Sequence, residues 1–194
     1  MPMNATAAPP ASPRVLVYLG ATMPPDPVYA DAVRELGREL VRRKATLVFG
    51  GSREGTMTTL ADTVLENGGE AIGVFPRTLP QEFLYPGLPR TVITPDISVR
   101  KEKMLELADV VIAMPGSYGT WDELFDALER QKVERLHGRP AKPVGILNLR
   151  GFYDGILALL RHAQEEGFTT PEYADLLTEA KTVPELLQKL LPTP

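Results

Sequence analysis

The sequence predicts an α/β fold: a Rossmann-like, doubly wound parallel sheet with helices on both faces, in a single domain. Three observations predict it. Short runs rich in valine, isoleucine and leucine recur along the chain, each is followed by a segment with apolar residues at helical spacing, and glycine-rich turns often join the two. Strands that are apolar throughout are those buried on both faces of a parallel sheet. Strand followed by helix, repeated, is the order that builds such a sheet.

The elements follow in turn. RVLVYLG, residues 14–20, is a β-branched run ending in glycine, and PDPVYADAVRELGRELVRRK behind it has helical periodicity. TLVFGG (46–51), TMTTLADTVLENGG and EAIGVFP repeat the order strand, helix, strand. The proline-rich stretch from Pro76 to Asp96, containing TLPQEFLYPGLPR, reads as a long loop with room for a short turn of helix or strand. Long loops in compact domains often carry function. DVVIAMPG then leads into TWDELFDALERQKVE, and PVGILNL into GFYDGILALLRHAQEEG. TVPELLQKLLPTP reads as a last helix, with Thr182 as its N-cap and its end before Pro192. The domain is expected to span residues 14–191, behind a disordered tail over residues 1–13, MPMNATAAPPASP.

Composition narrows the functional classes. A chain of 194 residues, 43% of them hydrophobic, suits one substantial core and is short for two domains. A net charge of −4, with basic residues spread among the acids, argues against a nucleic-acid partner that needs a broad basic face. With no cysteine and only two histidines, disulfides, thiolate catalysis and the usual zinc sites are unavailable, so we expect no metal and a reducing, cytoplasmic compartment. No apolar run reaches membrane-spanning length, so no membrane partner is expected.

Ligands of open parallel sheets bind beyond the carboxyl ends of the strands, where glycine loops lead into helix N-termini. Three loops of that kind stand out: YLGAT (18–22), FGGSREGTMT (49–58) and MPGSYGT, which opens the segment MPGSYGTWDELFDALE (114–129). Glycine admits close approach of an anion to the backbone, and free helix N–H groups attract negative charge. Any one such loop can be a mere turn, since caps and turns also select Gly, Ser and Thr. Two or more together point to a phosphorylated ligand. None is a Walker loop or a dinucleotide fingerprint, which disfavours nucleoside triphosphates and dinucleotides.

FGGSREGTMTTLADTVLENGGEAIGVFP, SVRKEKMLELADVVIAMPGSYGTWDEL and KPVGILNLRGFYDGIL resemble, in order and spacing, the LONELY GUY (LOG) family of cytokinin riboside 5′-monophosphate phosphoribohydrolases. The resemblance runs from about Arg14 to Leu191. Members have often been labelled "possible lysine decarboxylase", yet no recognisable site for pyridoxal phosphate is visible here, and no cofactor is expected. The family pattern PGGxGTxxE is matched by PGSYGTWDE, Pro115 to Glu123, and its preceding Arg-Lys by Arg100 and Lys101. The resemblance implies that Arg100 and Glu123 are catalytic and that Pro115, Gly116, Ser117, Tyr118, Gly119 and Thr120 form a phosphate loop. It further assigns Gly50, Gly51, Ser52, Gly55, Thr56 and Lys101 to substrate binding.

Those residue types suit the implied reaction. Breaking an N-glycosidic bond develops positive charge on the ribose, which a carboxylate, Glu123, can stabilise while directing water. Arg100 can hold phosphate or ribose oxygens, or assist the leaving base, through its fork of donors. Read without the family, Arg100 is a solvated helix residue and Glu123 a first-turn acid favoured by the helix dipole.

The chain departs from the family at several points. Ser52, Thr56 and Thr58 replace Gly, Leu and Gly of GGGxxGLMG, Ile97-Ser98-Val99 replaces Met-His-Glu, and Ser117 replaces the second glycine of PGGxGT. A serine at 117 strains the loop if that position needs positive φ; otherwise its hydroxyl can add a phosphate contact. We therefore expect hydrolysis of AMP or an N6-substituted AMP to free base and ribose 5-phosphate. The alternatives are an enzyme of altered substrate range, or a non-hydrolytic nucleotide or molybdenum-cofactor carrier of the same fold. The second and third loops are expected to meet at one pocket. Leu124, Phe125, Leu128 and Val133 lie along one side of their helix, either covering the sheet or pairing with a second copy. Resemblance implies a homodimer.

Overall fold

In the computed structural model, which describes residues 12–191, seven strands pair into one parallel sheet ordered β4-β3-β2-β1-β5-β6-β7. The expected disordered tail lies outside the described residues except for Ser12 and Pro13. In chain order the elements are β1 (Arg14–Tyr18), α1 (Pro27–Arg42), β2 (Thr46–Phe49), α2 (Gly55–Glu66), β3 (Ala71–Pro76), β4 (Arg90–Thr94), α3 (Ile97–Leu107) and β5 (Val110–Ala113). There follow α4 (Tyr118–Leu136), β6 (Val144–Leu147), α5 (Asp154–Glu165), the short α6 (Pro171–Ala174), β7 (Leu177–Ala180) and α7 (Val183–Leu190). The predicted fold class is the observed one.

Alternate residues of each strand feed opposite faces. Val15, Val17, Leu47, Phe49 and Ile112 join Leu36, Leu40, Leu60, Val64 and Leu186 in a core under α1, α2 and α7. Leu16, Tyr18, Val48 and Val111 join Met104, Leu105, Leu124, Ala127 and Tyr153 under α3, α4 and α5. Strands β1, β2, β5 and β6 are buried on both faces, apart from the half-buried Arg14, which is why they read as unbroken apolar runs.

Helix starts follow local chemistry. Asp26 accepts from the Val28 N–H at 3.1 Å with Pro27 opening α1, Asp96 accepts from Val99 N–H at 2.9 Å to start α3, and Thr182 accepts from Glu185 N–H at 3.4 Å to start α7. Thr182 thus holds the expected N-cap of the last helix. Two strands were not separated by the sequence pattern. β4 lies in the stretch read as a long loop, after a 3-10 turn at Gln81–Phe83, and its outer side is exposed at the sheet edge. β7, at the other edge, mixes Leu177, Thr178, Glu179 and Ala180 and so lacks an apolar run.

The chain builds outward from β1 to β4, then returns to place β5 on the other side of β1. The switch between β1 and β5 leaves a crevice beyond their carboxyl ends. Packing of α1 on α2 frames it, with Gly37 crossing Thr63 so closely that an added Cβ would lie 2.8 Å from Thr63 Cγ2 and 2.9 Å from Thr63 Cβ. Gly37→Ala is expected to destabilise the protein by about 1–3 kcal/mol in urea unfolding, through overpacking. Thr63→Ser, which removes the nearer atom, should recover part of that loss.

Candidate functional site

The three glycine loops converge at this crevice. Leu19–Ala21 from the end of β1, Gly50, Ser52 and Glu54 from the turn after β2, and Ser117, Gly119 and Thr120 from the start of α4 line one cavity of about 420 Å³. Arg100 of α3 and Glu123 of α4 line the same cavity. The second and third loops therefore share one pocket, on one edge of the sheet.

Side-chain and backbone contacts fasten the loops together. Thr56 donates to the Gly20 carbonyl through both its hydroxyl, at 2.7 Å, and its N–H, at 3.2 Å. Gly55 adopts φ 51°, and a side chain there would collide with the Ala21 carbonyl. Threonine at position 56 thus ties the first loop to the second. Beyond β3 the chain folds back over the second loop: Arg53 N–H donates to the Phe83 carbonyl at 2.8 Å and Tyr85 N–H to the Gly51 carbonyl at 2.9 Å. The Tyr85 hydroxyl anchors this segment to Asp62. Leu79 and Phe83 consequently form an apolar wall of the pocket.

Ser117 resolves one question left by the sequence. It stands at the N-cap of α4 with φ −121° and ψ −154°, an extended conformation open to any residue, so serine carries no strain there. Its hydroxyl does not cap the helix. Helix α2 also starts without a side-chain cap, whereas α1, α3 and α7 are capped by Asp26, Asp96 and Thr182. First-turn N–H groups of α4, beside the pocket, therefore have no side-chain cap, as is also true of α5.

Arg100 and Glu123 form the polar floor. The Arg100 Nε donates to the Val74 carbonyl at 3.0 Å, and its Nη1 donates to Glu123 Oε1 at 3.0 Å. Both side chains are largely buried, at 14% and 12% exposure. Room for the guanidinium comes from Gly50, where an added Cβ would overlap Arg100 Nη2. Burial pushes the Glu123 carboxyl up to about 7; the Arg100 guanidinium pulls it down without overcoming burial, and Asp122 raises it further. A carboxyl that titrates near neutrality inside a cleft is equipped for proton or charge work.

Other expected site residues sit farther out. Lys101 turns away from the cavity to pair with Asp122 at 3.0 Å and Asp126 at 3.8 Å. Pro115, Gly116 and Ser117 line an adjoining cleft of about 230 Å³ with Tyr29 and Phe152. Tyr118 is 84% exposed and packs edge-on against Trp121. Gly51, Gly55 and Thr56 shape the second loop from behind. Sequence reasoning missed Tyr18, Glu54, Met57, Leu79 and Phe83, all of which line the cavity. Tyr18 opened the quoted YLGAT loop and Glu54 and Met57 lay inside the quoted FGGSREGTMT motif, though none was named as a site residue, whereas Leu79 and Phe83 lay in a loop with no periodic signal.

Comparison with known proteins gives consistent relatives. The family model described as "Possible lysine decarboxylase" matches residues 57–190. A probable cytokinin riboside 5′-monophosphate phosphoribohydrolase of Oryza sativa subsp. japonica is 37% identical over 96% of this chain and 85% of its own length. A cytokinin riboside 5′-monophosphate phosphoribohydrolase of Arabidopsis thaliana is 35% identical over 91% of this chain and 81% of its own. Among solved structures, the molybdenum cofactor binding protein of Rippkaea orientalis superposes with a TM-score of 0.69 over 94% of this chain and 99% of its own. At 21% identity that likeness is one of fold.

The Glu123 environment has a consequence for stability. Its folded-state value of about 7 exceeds the ordinary 4.5, so its contribution is fully present below about pH 4.5 and is lost as pH rises to about 7. The difference in unfolding free energy between wild type and Glu123→Gln should therefore shift against wild type by roughly 3 kcal/mol across that window. Urea unfolding of both proteins at pH 4.5, 6 and 8 measures it; a constant difference would refute the assignment.

Proposed function

Because the chain belongs to the LONELY GUY family of cytokinin riboside 5′-monophosphate phosphoribohydrolases, we propose that it hydrolyses the N-glycosidic bond of a purine nucleoside 5′-monophosphate. AMP or an N6-substituted AMP would yield the free base and ribose 5-phosphate. One observation carries the reading: a buried Arg100–Glu123 pair lies in the same cavity as the uncapped N-terminus of α4 and the glycine loops. A guanidinium, a carboxylate and a helix N-terminus in one cavity of about 420 Å³ support a nucleotide as its ligand.

The chemistry assigns each group a role. Phosphate binds at Ser117, Gly119 and Thr120, where helix N–H groups and the Ser117 hydroxyl supply donors. Arg100 holds phosphate or ribose oxygens. Glu123, as carboxylate, faces the ribose, stabilises the oxocarbenium-like state and orients the attacking water. The base lies against the apolar wall of Leu79 and Phe83. Remote phosphate contacts position the sugar, so binding energy is used to orient the bond that breaks.

We also read the protein as a homodimer. Ile97, Val99, Tyr118 and Phe125 leave an exposed apolar surface on α3 and the first turns of α4, beside the site, while Leu124 of the same helix is buried against the sheet. Of the apolar side of α4, Leu124 and Leu128 pack on the core, and the exposed Phe125 supports pairing with a second copy. The lack of cysteine supports a cytoplasmic setting, and no helix among the described residues is long and apolar enough to cross a membrane. Light scattering at micromolar concentration should give twice the monomer mass.

Ribose 5-phosphate release and calorimetric binding of AMP test the assignment together. Glu123→Gln should lower kcat by about 10²–10³-fold with AMP affinity nearly unchanged, and Arg100→Ala should lower both. Adenosine, lacking the phosphate, should be a poor substrate. Since the active form of Glu123 is ionised, kcat/KM should fall as pH drops below about 7, and the variant should lose that limb. Wild type that binds AMP yet releases nothing from a panel of nucleotides would replace hydrolysis with a carrier role.

A further inference from the structure

Tyr18 ends β1 and pairs with Ala113 of β5 at the switch point. Its ring is buried between the sheet and α3 and α4, among Met104, Leu124 and Ala127. The hydroxyl is buried too, has no hydrogen-bond partner, and belongs to a residue lining the cavity. A hydroxyl left this way has given up its bonds to water without a replacement, so each one calls for a reason. Tyr153, the neighbouring tyrosine on this face, shows the ordinary solution by donating to the Met114 carbonyl at 2.6 Å.

Four charged groups act on the Tyr18 hydroxyl: Glu123, Asp126 and Arg130 from α4 and Arg100 from α3. Asp126 is already engaged by Arg130 at 2.9 Å and by Lys101 at 3.8 Å. Glu123 is held through Oε1 by Arg100. A nucleotide brings a dianionic phosphate and ribose hydroxyls that compete for the same guanidinium. Its carboxylate partner then needs another donor.

We propose that Tyr18 is a positioning residue, whose hydroxyl takes hold of the Glu123 carboxylate when bound nucleotide draws Arg100 away. The proposal rests on the phosphoribohydrolase reading of this pocket. In the free protein Arg100 holds the carboxylate and Tyr18 is idle; in the complex Tyr18 donates to the carboxylate, keeping it ionised and aimed at the ribose. The exchange lets one arginine serve substrate without freeing the catalytic carboxylate to rotate.

Tyr18→Phe removes only the oxygen. Carboxyl carbon NMR of Glu123, assigned by its absence in Glu123→Gln, reports the titration without requiring turnover; Arg100, Lys101 and Asp122 are the other charges acting on that carboxyl and stay unchanged. Without ligand, wild type and Tyr18→Phe should titrate alike, and the variant should unfold at the same temperature or higher. With a saturating AMP analogue whose ribose ring oxygen is replaced by a methylene, which cannot form the oxocarbenium-like state and so is not hydrolysed, the variant should titrate about one pH unit above wild type, the effect of losing one hydrogen bond to a charged group. In the activity assay its kcat should fall about tenfold with KM within twofold. Equal titration in the analogue complex overturns the proposal, as does a variant that is destabilised without ligand. A titration difference in a wild type that releases no ribose 5-phosphate would uphold the positioning role while overturning hydrolysis.

Discussion

The site depends on the burial of one ion pair, Arg100 with Glu123, between α3 and α4. Two charges taken out of water are costly unless each is fully engaged, and neither would remain so if its partner were removed. Arg100 is engaged twice, by Glu123 and by the Val74 carbonyl at the end of β3. The pair therefore fixes α3 and α4 relative to the sheet as well as to each other. It lies over the crevice between β1 and β5, where strand order reverses.

Several features exist to admit that pair. Gly50 leaves space for the guanidinium, since any side chain there would occupy it. Thr56 clasps the first loop to the second, and the segment after β3 is laid over the second loop by backbone hydrogen bonds to Gly51 and Arg53. The cavity is thus tied together by hydrogen bonds on its loop sides and apolar toward Leu79 and Phe83. A carboxyl enclosed in this way loses hydration faster than Arg100 can compensate, which raises its titration toward neutrality.

The departures from the family pattern fall into place within that frame. Serine at position 117 sits in extended backbone and adds a hydroxyl at the mouth of the helix without strain. Threonine at position 56, in the first turn of α2, acts as a tether to the first loop. Neither change disturbs Arg100 or Glu123. What the structure does not explain is Thr58, whose buried hydroxyl has no hydrogen-bond partner.

Fold class was legible in the sequence because parallel strands buried on both faces must be apolar throughout, and helices covering them must show a 3.6-residue stripe. The strands from β1 to β6, β4 apart, announced themselves so. β4 and β7 did not, since an edge strand is free to carry exposed residues such as Arg90, Thr91 and Glu179. Arg100, Glu123 and the glycine loops were legible through motif spacing, because the residues of a loop and of the first turns of its helix are held together by local geometry. Leu79 and Phe83 were not, and Tyr18 was visible only as the start of the first loop, without a role. Their presence in the cavity depends on which strand neighbours which and on where a long loop folds back, and these are settled by sheet order and tertiary packing rather than by separation along the chain. The same holds for the titration of Glu123: the sequence specified a carboxylic acid, and only enclosure by β1, β3 and α3 decided how readily it ionises.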